Sequence, residues 1–348
     1  MLHGHGNDAY RYGTPVRADF SSNVRRDPQM SAGLQAYLSA RFDRIAVYPE
    51  VCAESLAARI AEAEQVAPEN VLVTSGATAG IHLLAQLHRR ASSLVVTPTF
   101  SEYEDAGRIH EHRIAFASLE QFLGETLPVS DVVWLCNPNN PTGEVVPRWE
   151  LLGHVDGAPE RMHLVDVAYE AFCDAERIRA NDVLERDNLV LVKSMTKVFA
   201  VPGLRLGYII APRAIVAALE RHSMPWSVNA LAVEAGKYLL AENDPGVRTA
   251  LRALLAEARF LGESLARLPG CRVHPSTTHY FLLQLPGESS EALKTWLLRE
   301  HGLLVRDAAN FRGLDGRHVR IAAQSRSENL ELISAVGQWL AGGEGSAR

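Results

Sequence analysis

Val192-Lys-Ser-Met-Thr-Lys-Val-Phe-Ala-Val-Pro-Gly-Leu-Arg-Leu-Gly-Tyr208 places a lysine, Lys197, just beyond an apolar run at 189–192. A lysine at the end of a buried strand sits in a mostly apolar setting. Desolvation disfavours its ammonium form, which lowers its pKa and favours the neutral amine that a Schiff base requires. Ser194 stands three residues before Lys197 and Arg205 eight after it. A hydroxyl and a guanidinium flanking a reactive lysine suit a carbonyl cofactor that carries a phosphate. Alone, such a lysine also reads as a surface loop residue, so the surrounding segments must decide.

Outward from this stretch the chain alternates short apolar runs with polar, helix-like segments. The runs lie at 71–74, 94–97, 132–136, 163–167, 189–192 and 206–210. Several are apolar throughout, as parallel strands covered on both faces should be. The alternation predicts an α/β fold with a mostly parallel central sheet and crossover helices. The last third differs. Residues 244–268 carry Val247, Leu251, Leu254, Leu255, Ala258, Leu261 and Leu265 at three- and four-residue spacing, which predicts a long amphipathic helix. Strands at 271–274, 281–285, 303–306 and 318–322 and a helix near 291–301 complete a smaller α+β domain. The predicted division is a large domain over 28–235 and a discontinuous small domain made of 1–27 plus 236–348. The segment up to residue 27 is too short to fold alone and should pack on the small domain or on a partner subunit.

The turns that follow the apolar runs carry the chemistry. Ser75-Gly-Ala-Thr-Ala-Gly80 ends a run and opens an apolar helix, so free N–H groups there can cradle a phosphate. Asn137-Pro-Asn-Asn-Pro-Thr-Gly143 fixes a turn at a strand's carboxyl end, where ligands bind in open α/β sheets. The run at 163–167 contains Asp166, with Tyr169 three residues on. A carboxylate there can pair with a protonated ring nitrogen, and a phenol can bond an adjacent ring hydroxyl. Asp166 also reads as a helix N-cap.

In this order and spacing, N-P-N-N-P-T-G, D-x-x-Y and S-x-x-K with an arginine eight residues past the lysine resemble the fold-type I pyridoxal-phosphate enzymes of the aspartate aminotransferase superfamily. The resemblance covers nearly the whole chain and implies pyridoxal 5'-phosphate as cofactor. By the resemblance, Lys197 would bond the cofactor and shuttle protons. Asp166 would hold the pyridine nitrogen protonated, making the ring an electron sink. Tyr169 and Asn140 would bond the ring oxygen. Ser194, Arg205 and the backbone of Gly76, Ala77 and Thr78 would bind the phosphate. Phe100, in Pro98-Thr-Phe-Ser-Glu-Tyr-Glu104, looks like the aromatic stacked on the ring, with Tyr103 the weaker alternative. Tyr48, in Tyr48-Pro-Glu50, resembles the tyrosine that reaches the phosphate from a neighbouring subunit, which implies a homodimer with shared active sites.

Arg320, in His318-Val-Arg-Ile-Ala322, matches the arginine that grips the substrate α-carboxylate in this superfamily. Arg306, fourteen residues earlier, points to a second anionic group on the substrate, such as a phosphate. Finer matches at 98–104, 225–232 and 306–314 are similar to the L-threonine O-3-phosphate decarboxylase family of cobalamin biosynthesis. The histidinol-phosphate aminotransferase family is the nearest relative. The resemblance implies decarboxylation of O-phospho-L-threonine to (R)-1-amino-2-propanol O-2-phosphate, with transamination of histidinol phosphate or another amino acid as the alternative. Arg306, His5 and Asn23 are then candidates for the substrate-phosphate side, and Asn140 also faces the substrate. Two departures stand out. Val24-Arg-Arg-Asp-Pro28 replaces the N-P-x-G-like turn usual after this asparagine, and Ala79 stands where a glutamate is common.

Composition excludes other classes. The 348 residues are 47% hydrophobic and 22% charged, as in an ordinary globular protein of about two domains. The net charge of −6 and the lack of Lys/Arg runs argue against nucleic-acid binding. The four cysteines form no C-x-x-C pair, His3 and His5 are isolated, and neither a metal site nor a disulfide framework is expected. No apolar run nears 18 residues, and the opening MLHGHGNDAYRYG is unlike a signal peptide. The expectation is a cytoplasmic enzyme with no membrane contact.

Overall fold

The computed structural model of the protein describes residues 8–13, 15–26, 28–124, 127–241, 245–287 and 289–343. His3 and His5 lie outside them. The chain enters through a two-residue strand, β1 (Ala18–Asp19). A seven-stranded sheet follows, built from β2 (Val71–Thr74), β3 (Ser92–Thr97), β4 (Arg113–Ser118), β5 (Val132–Cys136), β6 (Met162–Asp166), β7 (Leu189–Ser194) and β8 (Gly207–Ile210). Their spatial order is β2-β8-β7-β6-β5-β3-β4. All neighbours pair in parallel except β8, which runs antiparallel to both β2 and β7.

Continuous apolar strands have a physical reason here. Val133, Leu135, Val165, Leu189 and Leu191 point into one core, while Trp134, Leu164, Val190 and Val192 point into another on the opposite face. Helices Glu54–Glu64, Arg148–Gly157 and Ala230–Ala241 cover the first face. Helices Ala77–Leu87, Glu102–Ile109 and Arg213–His222 cover the second. With both faces dry, alternation disappears from the sequence. The edge strand β4, which the apolar runs do not predict, is half-exposed along most of its length and so carries a weaker signal.

A second sheet contains β9 (Arg272–Val273), β10 (Tyr280–Gln284), β12 (Arg306–Asp307) and β13 (His318–Ala322), in the order β12-β13-β10-β9, all antiparallel. Just before β12, β11 (Leu303–Leu304) pairs in parallel with β1. Its own core gathers Leu261, Leu265, Phe281, Leu283, Val319 and Ile321. Ala18 and Phe20 of the N-terminal segment are buried in this same core, and the Phe20 backbone bonds Leu304 and Ala322. The helix Ala230–Ala241 still packs on the first core as far as Leu239, whereas Pro245–Leu265 carries the chain into the second. The change of core thus falls between these two helices, a few residues past 235. A cluster of Tyr169, Phe172, Leu251, Tyr280 and Ala322 joins the two halves.

Sheet polarity does the positioning. Parallel strands β3, β5, β6 and β7 end at one edge, and β2 ends there too because it is antiparallel to the reversed β8. At that edge β8 begins with Gly207, and a Cβ there would lie 2.5 Å from the Ala77 nitrogen and 2.9 Å from the Lys193 oxygen. Only glycine lets the start of the helix Ala77–Leu87 approach so closely. Gly207→Ala should therefore destabilise the fold by about 1–3 kcal/mol through backbone displacement. Chemical denaturation checks this; unchanged stability would disprove the close approach.

Candidate active site

A cavity of ≈780 Å³ opens at this edge, between the large sheet, the second sheet and the N-terminal segment. Its floor is the end of β6. Asp166 is buried there; its Oδ1 accepts the Ala168 N–H (2.9 Å) and its Oδ2 the Tyr103 hydroxyl (2.8 Å). Burial raises its pKa above the ordinary carboxylate value, against the pull of those two hydrogen bonds and of the Lys197 charge. Tyr169 lies one turn on, with its phenol pushed up to about 12, chiefly by burial.

Lys197 follows β7 and lines the same cavity. Burial first, then the charges of Arg320 and Arg205, pull its pKa down to about 8, and Asp166 only partly opposes them. Near neutral pH this amine is therefore far easier to deprotonate than an ordinary lysine. Ser194, at the end of β7, shares a 2.8 Å hydrogen bond with Thr196. Arg205 lies on the far side of the turn, and its Nη1 donates to the Pro202 carbonyl (3.1 Å).

Ala77 and Thr78 form the opposite wall, at the start of a helix whose first turn has no side-chain cap. Uncapped N–H groups, the Ser194 hydroxyl and the Arg205 guanidinium converge as an anion cradle. Gly76 caps this helix at φ +82°, and a Cβ there would lie 2.5 Å from an Arg205 nitrogen. The glycine both permits the left-handed turn and leaves room for the arginine. Phe100 faces the cavity from the loop after β3.

The second sheet supplies two cations. Arg306 and Arg320 are directly opposed residues of β12 and β13 and so share one face of the sheet. Arg320 is buried; it donates to Asn140 Oδ1 (2.6 Å) and to the Ser21 carbonyl, and its Nε has no hydrogen-bond partner among the described residues. Arg306 donates to Asn310 Oδ1 (2.8 Å), and burial followed by the Arg320 charge lowers its pKa to about 10. Asn23 lines the cavity beside them, next to the Tyr169 hydroxyl.

Three features escape the sequence patterns. Tyr103 reaches Asp166 from a helix, across β5. His279, buried just before β10, donates from Nε2 to the Asn23 carbonyl (3.0 Å) and fixes that backbone; burial pushes its pKa down to about 3. Arg25, in the departing Val24–Pro28 stretch, donates its backbone N–H to the Lys197 carbonyl (3.2 Å) and its Nε to the Val198 carbonyl (2.9 Å). Tyr48 is not brought into the cavity of its own chain. It is 82% exposed and packs on Trp226, with ring centroids 5.1 Å apart.

The chain is similar to known proteins over most of its length. Residues 18–336 match the family model described as aminotransferase class I and II. The threonine-phosphate decarboxylase of Salmonella typhimurium is 32% identical over 339 residues, covering 93% of this chain and 91% of that protein. The crystal structure of L-threonine-O-3-phosphate decarboxylase from Porphyromonas gingivalis superposes with a TM-score of 0.89 at 38% identity, covering 93% of this chain and 99% of that one. Histidinol-phosphate aminotransferase from Clostridium acetobutylicum gives a TM-score of 0.82 at 25% identity, over 91% and 97% of the two chains. The chain belongs to the aminotransferase class I and II family, whose enzymes depend on pyridoxal 5'-phosphate.

Proposed function

We propose that this enzyme decarboxylates O-phospho-L-threonine to (R)-1-amino-2-propanol O-2-phosphate, the step that its resemblance places in cobalamin biosynthesis. The reading rests above all on the two opposed arginines, Arg306 and Arg320, facing Lys197 across one cavity. Such a pair suits a small amino acid that carries a second anionic group, and the decarboxylases similar to this chain are named for such a substrate.

The residues present fit the cofactor. Asp166 is the buried carboxylate for the ring nitrogen, and Lys197 is the near-neutral amine. The start of the helix Ala77–Leu87, with Ser194 and Arg205, is the phosphate cradle, and Phe100 offers an aromatic wall. Pyridoxal 5'-phosphate, when bound, supplies a carbonyl that condenses with an amine and a ring that takes up the electron pair released at Cα. Asn140 and Tyr169 would bond its ring oxygen. Arg320 holds the α-carboxylate through its unpartnered Nε, and Arg306 with Asn23 takes the substrate phosphate. For every CO₂ lost, one proton must be added at Cα, and Lys197 is placed to deliver it. Transamination would use the same residues with the Cα–H bond broken instead, as suits the likeness to histidinol-phosphate aminotransferase.

The enzyme works as a cytoplasmic homodimer in this reading. Phe42, Ile45, Val47 and Tyr48 are exposed along one short stretch, and Trp226 beside Tyr48 donates its backbone N–H to the Val51 carbonyl. Such apolar exposure suits burial by a second copy, from which Tyr48 would reach the partner's phosphate cradle. All four cysteines are free, as in a reducing compartment. Among the described residues no helix is long and apolar enough to cross a membrane.

Incubation with O-phospho-L-threonine, with and without 2-oxoglutarate, tests the reaction. CO₂ and the amino product should form equally in both; glutamate formed from the keto acid without release of CO₂ would establish transamination. In the cofactor-free enzyme, acylation of Lys197 should rise with pH through about 8, and Arg320→Gln should move that midpoint upward by removing a nearby cation. A midpoint near the ordinary lysine value of about 10 would refute the electrostatic argument. Arg320→Gln should also raise KM by at least about thirtyfold, since truncating one side of a buried charge pair costs about 2–5 kcal/mol. An unchanged KM would remove Arg320 from the carboxylate site.

A further inference from the structure

Tyr103 lies in the first turn of the helix Glu102–Ile109, 1% exposed. Its ring stacks on Trp134 of β5, with centroids 5.6 Å apart and planes 15° from parallel, and Phe100 meets its edge at 5.9 Å. Buried and stacked on Trp134, this ring is taken up by the core, while Phe100 lines the cavity. What the Tyr103 hydroxyl reaches is Asp166 Oδ2, at 2.8 Å.

The direction of that hydrogen bond is settled by chemistry. An ionised carboxylate only accepts, so the phenol donates. Burial and the Asp166 charge hold the phenol protonated, well above its ordinary pKa. With the Ala168 N–H on Oδ1, each carboxylate oxygen is held by one donor, and the plane of the carboxylate is fixed. A donor to a buried anion also stabilises its charged form against desolvation.

We infer that Tyr103 is a positioning residue that orients the Asp166 carboxylate and keeps it ionised for the ring nitrogen of the cofactor. The inference rests on the reading of Asp166 as that nitrogen's partner. The other titratable groups around Asp166 are Cys136 from β5, Tyr169 from the turn after β6 and Lys197 from the turn after β7. Of these, only Lys197 favours its charge.

The test titrates pyridoxal 5'-phosphate into cofactor-free enzyme at several pH values. The proteins compared are the parent, Tyr103→Phe, Asp166→Asn, the double variant and Trp134→Phe. Tyr103→Phe removes one oxygen and keeps the ring, and circular dichroism verifies its fold. Its Kd should rise about tenfold or more, as for loss of a hydrogen bond to a charged group. Without the hydroxyl the carboxyl pKa climbs further, so protonation and loss of affinity on the acid side should begin at higher pH than in the parent. In the Asp166→Asn background the Tyr103 change should have little further effect. Additive losses would overturn the inference, as would a parent-like Kd for Tyr103→Phe. So would an equal, pH-independent loss in Trp134→Phe, which disturbs the stack but spares the hydroxyl. Parent-like binding by Asp166→Asn would instead bring down the Asp166 reading, and this inference with it.

Discussion

Lys197 is a buried amine held between two guanidinium groups, with one carboxylate in opposition. Burial and the charges of Arg320 and Arg205 act in the same direction, and Asp166 offsets only part of them. The rest of the site follows from keeping that balance. Arg205 must stand close enough to act on Lys197 and still pass beside the start of the helix Ala77–Leu87, which requires glycine at 76. Arg320 is buried with no ion pair among the described residues, and it donates instead to the Asn140 side chain and the Ser21 carbonyl. A cavity so arranged is electrostatically incomplete until anions enter it. The formal charge of −6 over the chain therefore says nothing about what this edge of the sheet binds.

Much of this was legible because the governing residues are local. Lys197, Asp166 and Asn140 lie at the end of an apolar run or shortly after one, so their placement at one sheet edge follows from parallel pairing. The long helix Pro245–Leu265 and the strand His318–Ala322 announce themselves by periodicity and by a short apolar run. β4 does not, because a half-exposed edge strand needs less apolar sequence. The reversed direction of β8 was hidden for another reason: strand direction is set by the connection, and the residues of Gly207–Ile210 would serve a parallel strand equally well.

What stayed illegible is long-range pairing. Tyr103 and Asp166 are 63 residues apart, and Asn23 and His279 are 256 apart. No local spacing marks such pairs. Tyr103 was readable only as a second aromatic near Phe100, since its stacking on Trp134 depends on the helix Glu102–Ile109 lying over β5. Tyr48 is the converse. Its motif marks it for a phosphate, yet within one chain it lies on the surface beside Trp226.

In the N-terminal segment a departure from a familiar pattern comes with its own backbone ties. At one end Phe20 is bonded to Leu304 and Ala322 of the second sheet's half. At the other end Arg25 is bonded to the carbonyls of Lys197 and Val198. Between them His279 holds the Asn23 carbonyl. A proline turn stiffens a backbone by restricting φ; here two donors from one buried arginine tie the same stretch to the lysine turn. The segment thus bridges the half that carries Arg306 and Arg320 and the half that carries Lys197. It does so beside the cluster of Tyr169, Phe172, Leu251, Tyr280 and Ala322 that also joins the two halves. Asn23 and the Lys197 turn are thus linked through one short strap.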